Sequence, residues 1–294
     1  VSEVTYRKAQ ARDLPEAVTV YVTARNQMLG RHNLTVPPDD LEAATVSQQH
    51  ILRTGHFEVA ELDGRLIGVC YAIVRDAIWF LSGFWVLPEA QRQNVGGPLL
   101  RRVHTAGAAQ GAEVFCVWSS VDATAMASYM KLGMLPGTQI LNFAVDGARV
   151  TLPPPPDGYG TRPLEPRDAA AIDKVVRGTP RLVDHRWWAS LQDRHGRLVL
   201  RAGRPCGYFY ALENGDVLPA AWLDPADAQA VLGLACREGL EEAGRTSLRL
   251  LGYSHTAIGF ALGAGMQLRG FSHFLTSRTF GKLGQYATSG PFLL

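Results

Sequence analysis

The chain of 294 residues predicts two tandem domains of one α/β class (mixed α+β), each a mostly antiparallel sheet with flanking helices. Three observations lead there. The run at 64–73, Gly-Arg-Leu-Ile-Gly-Val-Cys-Tyr-Ala-Ile, returns at 203–212 as Gly-Arg-Pro-Cys-Gly-Tyr-Phe-Tyr-Ala-Leu. Residues 123–134 and 255–266 share their alanine spacing and both end in Gly-Met, and Arg12-Asp13 returns as Arg167-Asp168. Between the copies stand Pro153, Pro154, Pro155 and Pro156, which fit neither a helix interior nor a central strand and favour an extended spacer. The reading is therefore a domain at 1–152, a linker at 153–158 and a second domain at 159–294.

In the first copy, residues 4–8 read as a strand. Asp13-Leu14-Pro15-Glu16 carries helix-start chemistry, and Leu14, Ala17, Val18, Tyr21, Ala24 and Met28 continue an apolar face. A second helix is expected at 39–54. Strands follow at 57–62, 66–74 and 78–87, with Asp63-Gly64 as a tight hairpin turn and Arg75-Asp76 as another. The order then changes to a polar loop at 88–98, a helix to about Gln110, a strand at 114–118, a helix at 123–132 and a closing strand at 139–145. The second copy repeats the plan: strands at 161–164, 198–201, 206–212, 217–223, 247–251 and 271–277, with helices at 168–177, at 225–242 and from His255.

Composition narrows the class of partner. Hydrophobic residues make up 47% and charged residues 19%, as in a folded, fairly apolar protein, and the formal net charge is +2 without a dense basic tract. Nucleic acid is not the expected main partner, although an acidic cofactor could be held locally. Cys70, Cys116, Cys206 and Cys236 lie in apolar runs without CxxC spacing, which reads as reduced thiols in a cytoplasmic protein. Residues 1–13 are polar and charged, so no signal peptide is expected there, and no apolar run approaches the ~20 residues that would cross a membrane.

The most specific local segment is Gln91-Arg92-Gln93-Asn94-Val95-Gly96-Gly97, after Val86-Leu87-Pro88 and before Pro98. Gly96 and Gly97 permit close backbone approach, and Asn94 is among the few non-glycine residues that tolerate left-handed geometry. A loop running into a helix this way points unpaired N–H groups outward, where they can cradle phosphate. A tight turn that needed glycine for packing would use the same residues.

These residues resemble the GCN5-related N-acetyltransferase (GNAT) superfamily. Its pyrophosphate signature, Gln/Arg-x-x-Gly-x-Gly/Ala, falls on Gln91 to Gly96, with Asn94 in place of the first glycine. Its later signature, Asn-x-x-Ala-x-x-x-Tyr followed by Leu-Gly-Phe, falls on Asp122, Ala125, Tyr129 and Leu132-Gly133-Met134. The resemblance covers the first copy and, more weakly, the second. It implies two tandem GNAT-like domains, each with a splayed pair of parallel strands, and acetyl-CoA as acyl donor without a metal. Backbone groups of Phe84, Trp85 and Val86 are then expected to bind the pantetheine arm. The amides of Gln91, Arg92, Gln93, Asn94, Val95, Gly96 and Gly97 would hold the pyrophosphate, with added charge from Arg92. Asp122 replaces an asparagine that often contacts the coenzyme, and Tyr129 matches the tyrosine that gives a proton to the departing thiolate.

The general base stays open among Glu58, Glu61, Asp76, His56 and an ordered water, and Cys116 reads as a buried strand thiol rather than a nucleophile. In the second copy Ala261 stands opposite Tyr129 and Ser254 opposite Asp122, and Leu223-Asp224-Pro225-Ala226-Asp227 replaces the glycine loop. Acidic groups there would repel phosphate, so this copy is expected to be degenerate, completing the first domain's core or walling an acceptor pocket. Of the adjacent Trp187 and Trp188, one is expected to meet the first domain or a ligand. His185, His255 and His273 lack metal-ligand spacing.

The expected activity is N-acetyltransfer from acetyl-CoA to an amine of a small molecule. The alternative is a non-catalytic acyl-CoA-binding or ligand-sensing protein. Less favoured are protein acetylation and an enzyme resembling mycothiol synthase, where the C-terminal copy is the active one. Family members act on antibiotics, amino acids, polyamines or thiol precursors, and the resemblance does not select among them.

Overall fold

The computed structural model describes residues 3–147 and 150–294, apart from 37 and 39. The chain forms two compact units. The first runs to Leu135 and takes in Leu275–Arg278 and Pro291–Leu293; the second holds Pro136–Phe274, Thr279–Gly290 and Leu294.

In the first unit, β1 (Thr5–Lys8) leads into α1 (Leu14–Arg31), which has proline in its first turn and buries Leu14, Ala17, Val18 and Met28. The Asp13 carboxylate, bridged to Arg7 at 2.7 Å, also accepts the Gln10 amide and so fixes the corner before α1. The second helix, α2 (Leu41–Thr54), is capped by the Asp40 side chain, which accepts the Ala43 amide at 2.8 Å. The residue expected to open it, at position 39, lies outside the described residues.

Strands β2 (His56–Leu62), β3 (Arg65–Arg75) and β4 (Ile78–Val86) form the expected antiparallel meander. Asp63 and Gly64 turn the first hairpin at φ of 53° and 77°, the backbone such a two-residue turn demands. After α3 (Gly96–Ala109), β5 (Val114–Ser119) adds parallel to β4, and α4 (Ala123–Met130) follows. The sheet order in this unit is β1-β2-β3-β4-β5. Helix α3 lies close on the sheet because it carries Gly107, where a Cβ would collide with the Trp79 ring. The returning segment at 275–278 flanks β5, with Ser277 exchanging hydrogen bonds with Phe115.

The second unit contains β6 (Leu135–Asp146) from Pro136 onward, β7 (Tyr159–Pro163), α5 (Pro166–Val176), α6 (Leu182–Trp188), β8 (Arg194–Arg201) and β9 (Arg204–Leu212). Then come β10 (Val217–Trp222), α7 (Ala228–Ala243), β11 (Arg245–Leu251), α8 (His255–Gly263), β12 (Gln267–Thr276) as far as Phe274, and β13 (Tyr286–Ala287). Helix α7 packs Val231, Leu232 and Cys236 into a core with Phe209, Trp222 and Leu248.

The compact units do not divide at the prolines. The expected closing strand of the first copy, β6, pairs antiparallel with β11 over Ile140 to Asp146 and belongs to the second unit. The proline stretch has no regular structure, and Arg237 donates to the Pro153 carbonyl at 2.9 Å.

Two short elements lie outside the ranges read from the pattern, α6, which carries the adjacent Trp187 and Trp188, and β13. Helix α6 brings Arg181 and His185 to Asp173 of α5, and Tyr208 of β9 completes the contact by donating to Asp173 at 2.6 Å. Trp188 is buried in the same cluster, within van der Waals reach of His185 and Tyr210, while Trp187 is half-buried. Strand β13 is only two residues long, yet it lies between β10 and β11 and pairs with both.

Candidate functional site

The parallel pairing of β4 and β5 runs from Ile78 opposite Val114 to Leu81 opposite Val117 and then stops. Beyond it, among the described residues, β4 continues to Val86 in pairing with β3 while β5 runs on to Ser119 without pairing to β4. The register between β3 and β4 slips by one residue at this point: Tyr71 pairs with Gly83, but Ala72 pairs with Leu81. Ser82 is the extra residue of a β-bulge, which re-aims the β4 edge where the two strands part. Gly83 is required there, because a Cβ would collide with the Tyr71 ring.

The opening is a cavity of about 360 Å³. One wall is the bulged edge of β4, a second the loop after β4, a third the end of β5 with α4, and a fourth the face of α1 that carries Ala24, Met28 and Arg31. The loop has the geometry anticipated for it. Arg92 and Asn94 both sit at positive φ, 62° and 60°, and α3 begins at Gly96. The first N–H groups of a helix have no partner within it and carry the positive end of its dipole. Gln91 donates to the Val86 carbonyl at 3.0 Å and Tyr6 to the Val95 carbonyl at 3.2 Å, so both ends of the loop are pinned. Gly96 lies against Phe84, where a Cβ would stand 2.8 Å from the ring.

Of the residues singled out in the sequence, Phe84, Trp85, Val86, Gln91, Arg92, Asn94, Val95, Gly96, Gly97, Asp122 and Tyr129 all line this cavity. Gln93 does not; its side chain turns back to the Glu89 carbonyl at 2.6 Å. Tyr129 is buried on α4 with its ring edge toward Phe84, centroids 6.3 Å apart. Burial, with smaller contributions from Cys70 and Asp122, pushes its phenol well above the usual tyrosine value, so it holds its proton at neutral pH.

Asp122 is more committed than a coenzyme ligand need be. One carboxylate oxygen accepts the Ala125 amide at 2.9 Å and caps α4; the other accepts from Arg31 and lies 3.3 Å from His32 Nε2. Burial alone would raise its pKa, but the Ala125 amide, His32 and Arg31 together hold it below the ordinary aspartate value.

The base candidates are elsewhere. Glu58 is bridged to Arg102 at 2.9 Å and Glu61 to Arg7, Asp76 sits in the β3–β4 turn, and His56 begins β2; none of the four lines the cavity. Cys116 is a buried strand thiol, donating to the Trp79 carbonyl at 3.4 Å.

Three features escaped the sequence reading. Ser82 gave no signal, since a bulge depends on partner register. Arg31 looked like an ordinary basic residue completing a helix C-terminus. Arg101 lies one turn into α3, and its guanidinium passes 3.4 Å from where a Gly97 Cβ would stand; its spacing from Gly97 was the available clue.

In the second unit the corresponding place is occupied by the chain itself. Strands β10 and β11 are the counterparts of β4 and β5, and β13 fills the space between them: Ala287 pairs with Ala220 and Leu250, and Tyr286 with Ala221. Gln285 caps the end of β10 by donating to the Trp222 and Leu223 carbonyls. The acidic residues of the replaced loop are also engaged, Asp224 with the Ala226 amide and Asp227 with Tyr159 and Arg201. Ala261 and Ser254, opposite Tyr129 and Asp122, are both buried.

Residues 24–134 match the acetyltransferase (GNAT) family. Among solved structures, the chain is similar to a candidate acetyltransferase from Pyrococcus horikoshii, with 15% identity and a TM-score of 0.75 over 99% of this chain and 96% of that one. It is similar to a GCN5-related N-acetyltransferase from Sphaerobacter thermophilus at 15% identity and TM-score 0.63, covering 96% and 98% of the two chains. It is also similar to a tandem GNAT protein from the clavulanic acid biosynthesis pathway at 14% identity and TM-score 0.63, covering 94% and 99%. No curated protein matches it in sequence. Among the described residues, no helix is long and apolar enough to cross a membrane.

Proposed function

We propose, from the match of residues 24–134 to the acetyltransferase (GNAT) family, that this protein transfers acetyl from acetyl-CoA to an amine of a small molecule, in a single site on its N-terminal copy. The observation that carries this reading is the meeting, in one cavity, of an unpaired bulged strand edge, an N-terminal helix turn opened by Gly96 and Gly97, and the buried phenol of Tyr129.

The chemistry follows from those parts. The β4 edge from Phe84 to Val86 offers the backbone groups that an extended pantetheine amide chain needs, and the α3 start with Arg92 offers charge and N–H groups to its pyrophosphate. The acceptor nitrogen attacks the thioester carbonyl, a C–N bond forms and the C–S bond breaks. Tyr129, protonated because burial disfavours its phenolate, gives its proton to the departing sulfur and regains one from solvent. The proton of the acceptor amine leaves through water. The C-terminal copy, expected at 159–294, binds no coenzyme under this reading, since β13 occupies its cleft. Four free, buried cysteines fit the reducing, cytoplasmic setting we assign to it.

The test is Tyr129→Phe. Acyl transfer should fall by about 100-fold or more with acetyl-CoA affinity kept; undiminished transfer would remove Tyr129 from the mechanism. One observation favours the alternative of a non-catalytic acyl-CoA-binding protein: among the described residues, Asp122 is the only acidic group lining the cavity, and it is committed to α4 and α1. Coenzyme binding without turnover across a broad amine panel would establish that reading.

A further inference from the structure

The cavity has a cationic group at each side. On the β4 side is Arg92, in the loop ahead of α3; on the β5 side is Arg31, the last residue of α1. Ala24 and Met28, two turns and one turn before Arg31, line the same cavity, so α1 presents an apolar strip that ends in a guanidinium. Arg31 makes one hydrogen bond among the described residues, from Nη2 to Asp122, while Nη1 and Nε make none. Its side chain is 42% exposed.

Asp122 cannot serve an incoming cation as well, because both of its oxygens are taken, by the Ala125 amide and by Arg31 with His32. A polyamine or other purely cationic acceptor would therefore meet two guanidiniums and no free carboxylate. An acceptor with its own carboxylate would gain a charge-assisted hydrogen bond from the unused edge of Arg31. Under the acyltransfer reading, the coenzyme's phosphates would meet the α3 start and Arg92 instead.

We propose that the acceptor is an amine carrying its own carboxylate, of the amino-acid type, with an apolar body over Ala24 and Met28 and its carboxylate held by Arg31. This rests on the acyltransfer reading for the identity of the cavity, and it adds the charge of the substrate.

The test uses the full chain saturated with coenzyme A and matched probes: phenylalanine, leucine, methionine and 6-aminohexanoic acid, each against its own carboxamide. Calorimetric binding should favour the acid by at least about tenfold in one or more pairs. Arg31→Gln should abolish that preference and Arg31→Lys should retain part of it, with coenzyme A affinity unchanged in both. Equal or tighter binding of the amides in every pair overturns the proposal. So does a preference that survives Arg31→Gln, or a loss of coenzyme affinity in that variant, which would assign Arg31 to the phosphates. Turnover with acetyl-CoA is measured in parallel: carboxylate preference without acetyl transfer supports the proposal while removing the acyltransfer reading.

Discussion

Ala287 pairs with Leu250 on one side of β13, while its other edge is paired to β10, so the space between the counterparts of β4 and β5 is closed by the chain's own backbone. The first copy leaves that space open as a cavity. Acetyl-CoA should accordingly bind with a stoichiometry of one per chain. Equilibrium dialysis at saturating ligand checks this; a value of two would mean that β13 yields to the coenzyme.

Asp122 caps the helix that carries the Tyr129 phenol, so its removal should reach the site through Tyr129. Asp122→Ala removes the cap, which should cost about 0.5–2 kcal/mol of stability, and frees Arg31 and His32. Asp122→Asn keeps an oxygen for the Ala125 amide and should recover most of that loss in chemical denaturation. If the alanine and asparagine variants are equally destabilised, the capping role is wrong.

The buried charges of the second unit make stability depend on pH. Burial would raise the Asp173 pKa, but Arg181 and His185 overcome it and hold the carboxyl well below its usual value. A depressed carboxyl favours the folded state above the unfolded pKa of about 4, and that contribution disappears as pH falls below it. Burial lowers the His185 pKa despite the pull of Asp173, so stability should begin to fall earlier, below about pH 6.5. Asp173→Ala removes the buried carboxylate that Arg181 and His185 share and should cost about 3–5 kcal/mol, read by urea denaturation at pH 7.

Cysteine accessibility gives a simple check on packing. Burial pushes the thiols of Cys206 and Cys236 up to about 12 and raises Cys70 as well, and all four cysteines are free and buried. A thiol-disulfide reagent at pH 8 should label none of them in the folded protein within minutes and all four in denaturant. Rapid labelling of any one would show that its strand or helix opens locally.

The meander was legible because its strands carry apolar runs and Asp63-Gly64 marks the hairpin. The loop was legible because Asn94, Gly96 and Gly97 are the residue types its backbone demands, and Asn94 does adopt positive φ. The destination of β6 was not, since a strand's apolar pattern says that it pairs and not with what. Strand β13 escaped for a related reason: two residues carry no periodicity, and their pairing with β10 and β11 is set by tertiary space. Arg31 and Asp122 are 91 positions apart, so their partnership had no local signature.

The central claim, a coenzyme site between β4 and β5 of the first unit, is tested most directly by calorimetric titration with acetyl-CoA of the wild type and of Gly96→Trp. The replacement puts an indole where even a Cβ would meet Phe84, and circular dichroism confirms that the variant is folded. The wild type should bind one-to-one, and the variant should lose at least about 100-fold in affinity, roughly 2.8 kcal/mol. Unchanged binding by folded Gly96→Trp, or no binding by the wild type, would contradict it.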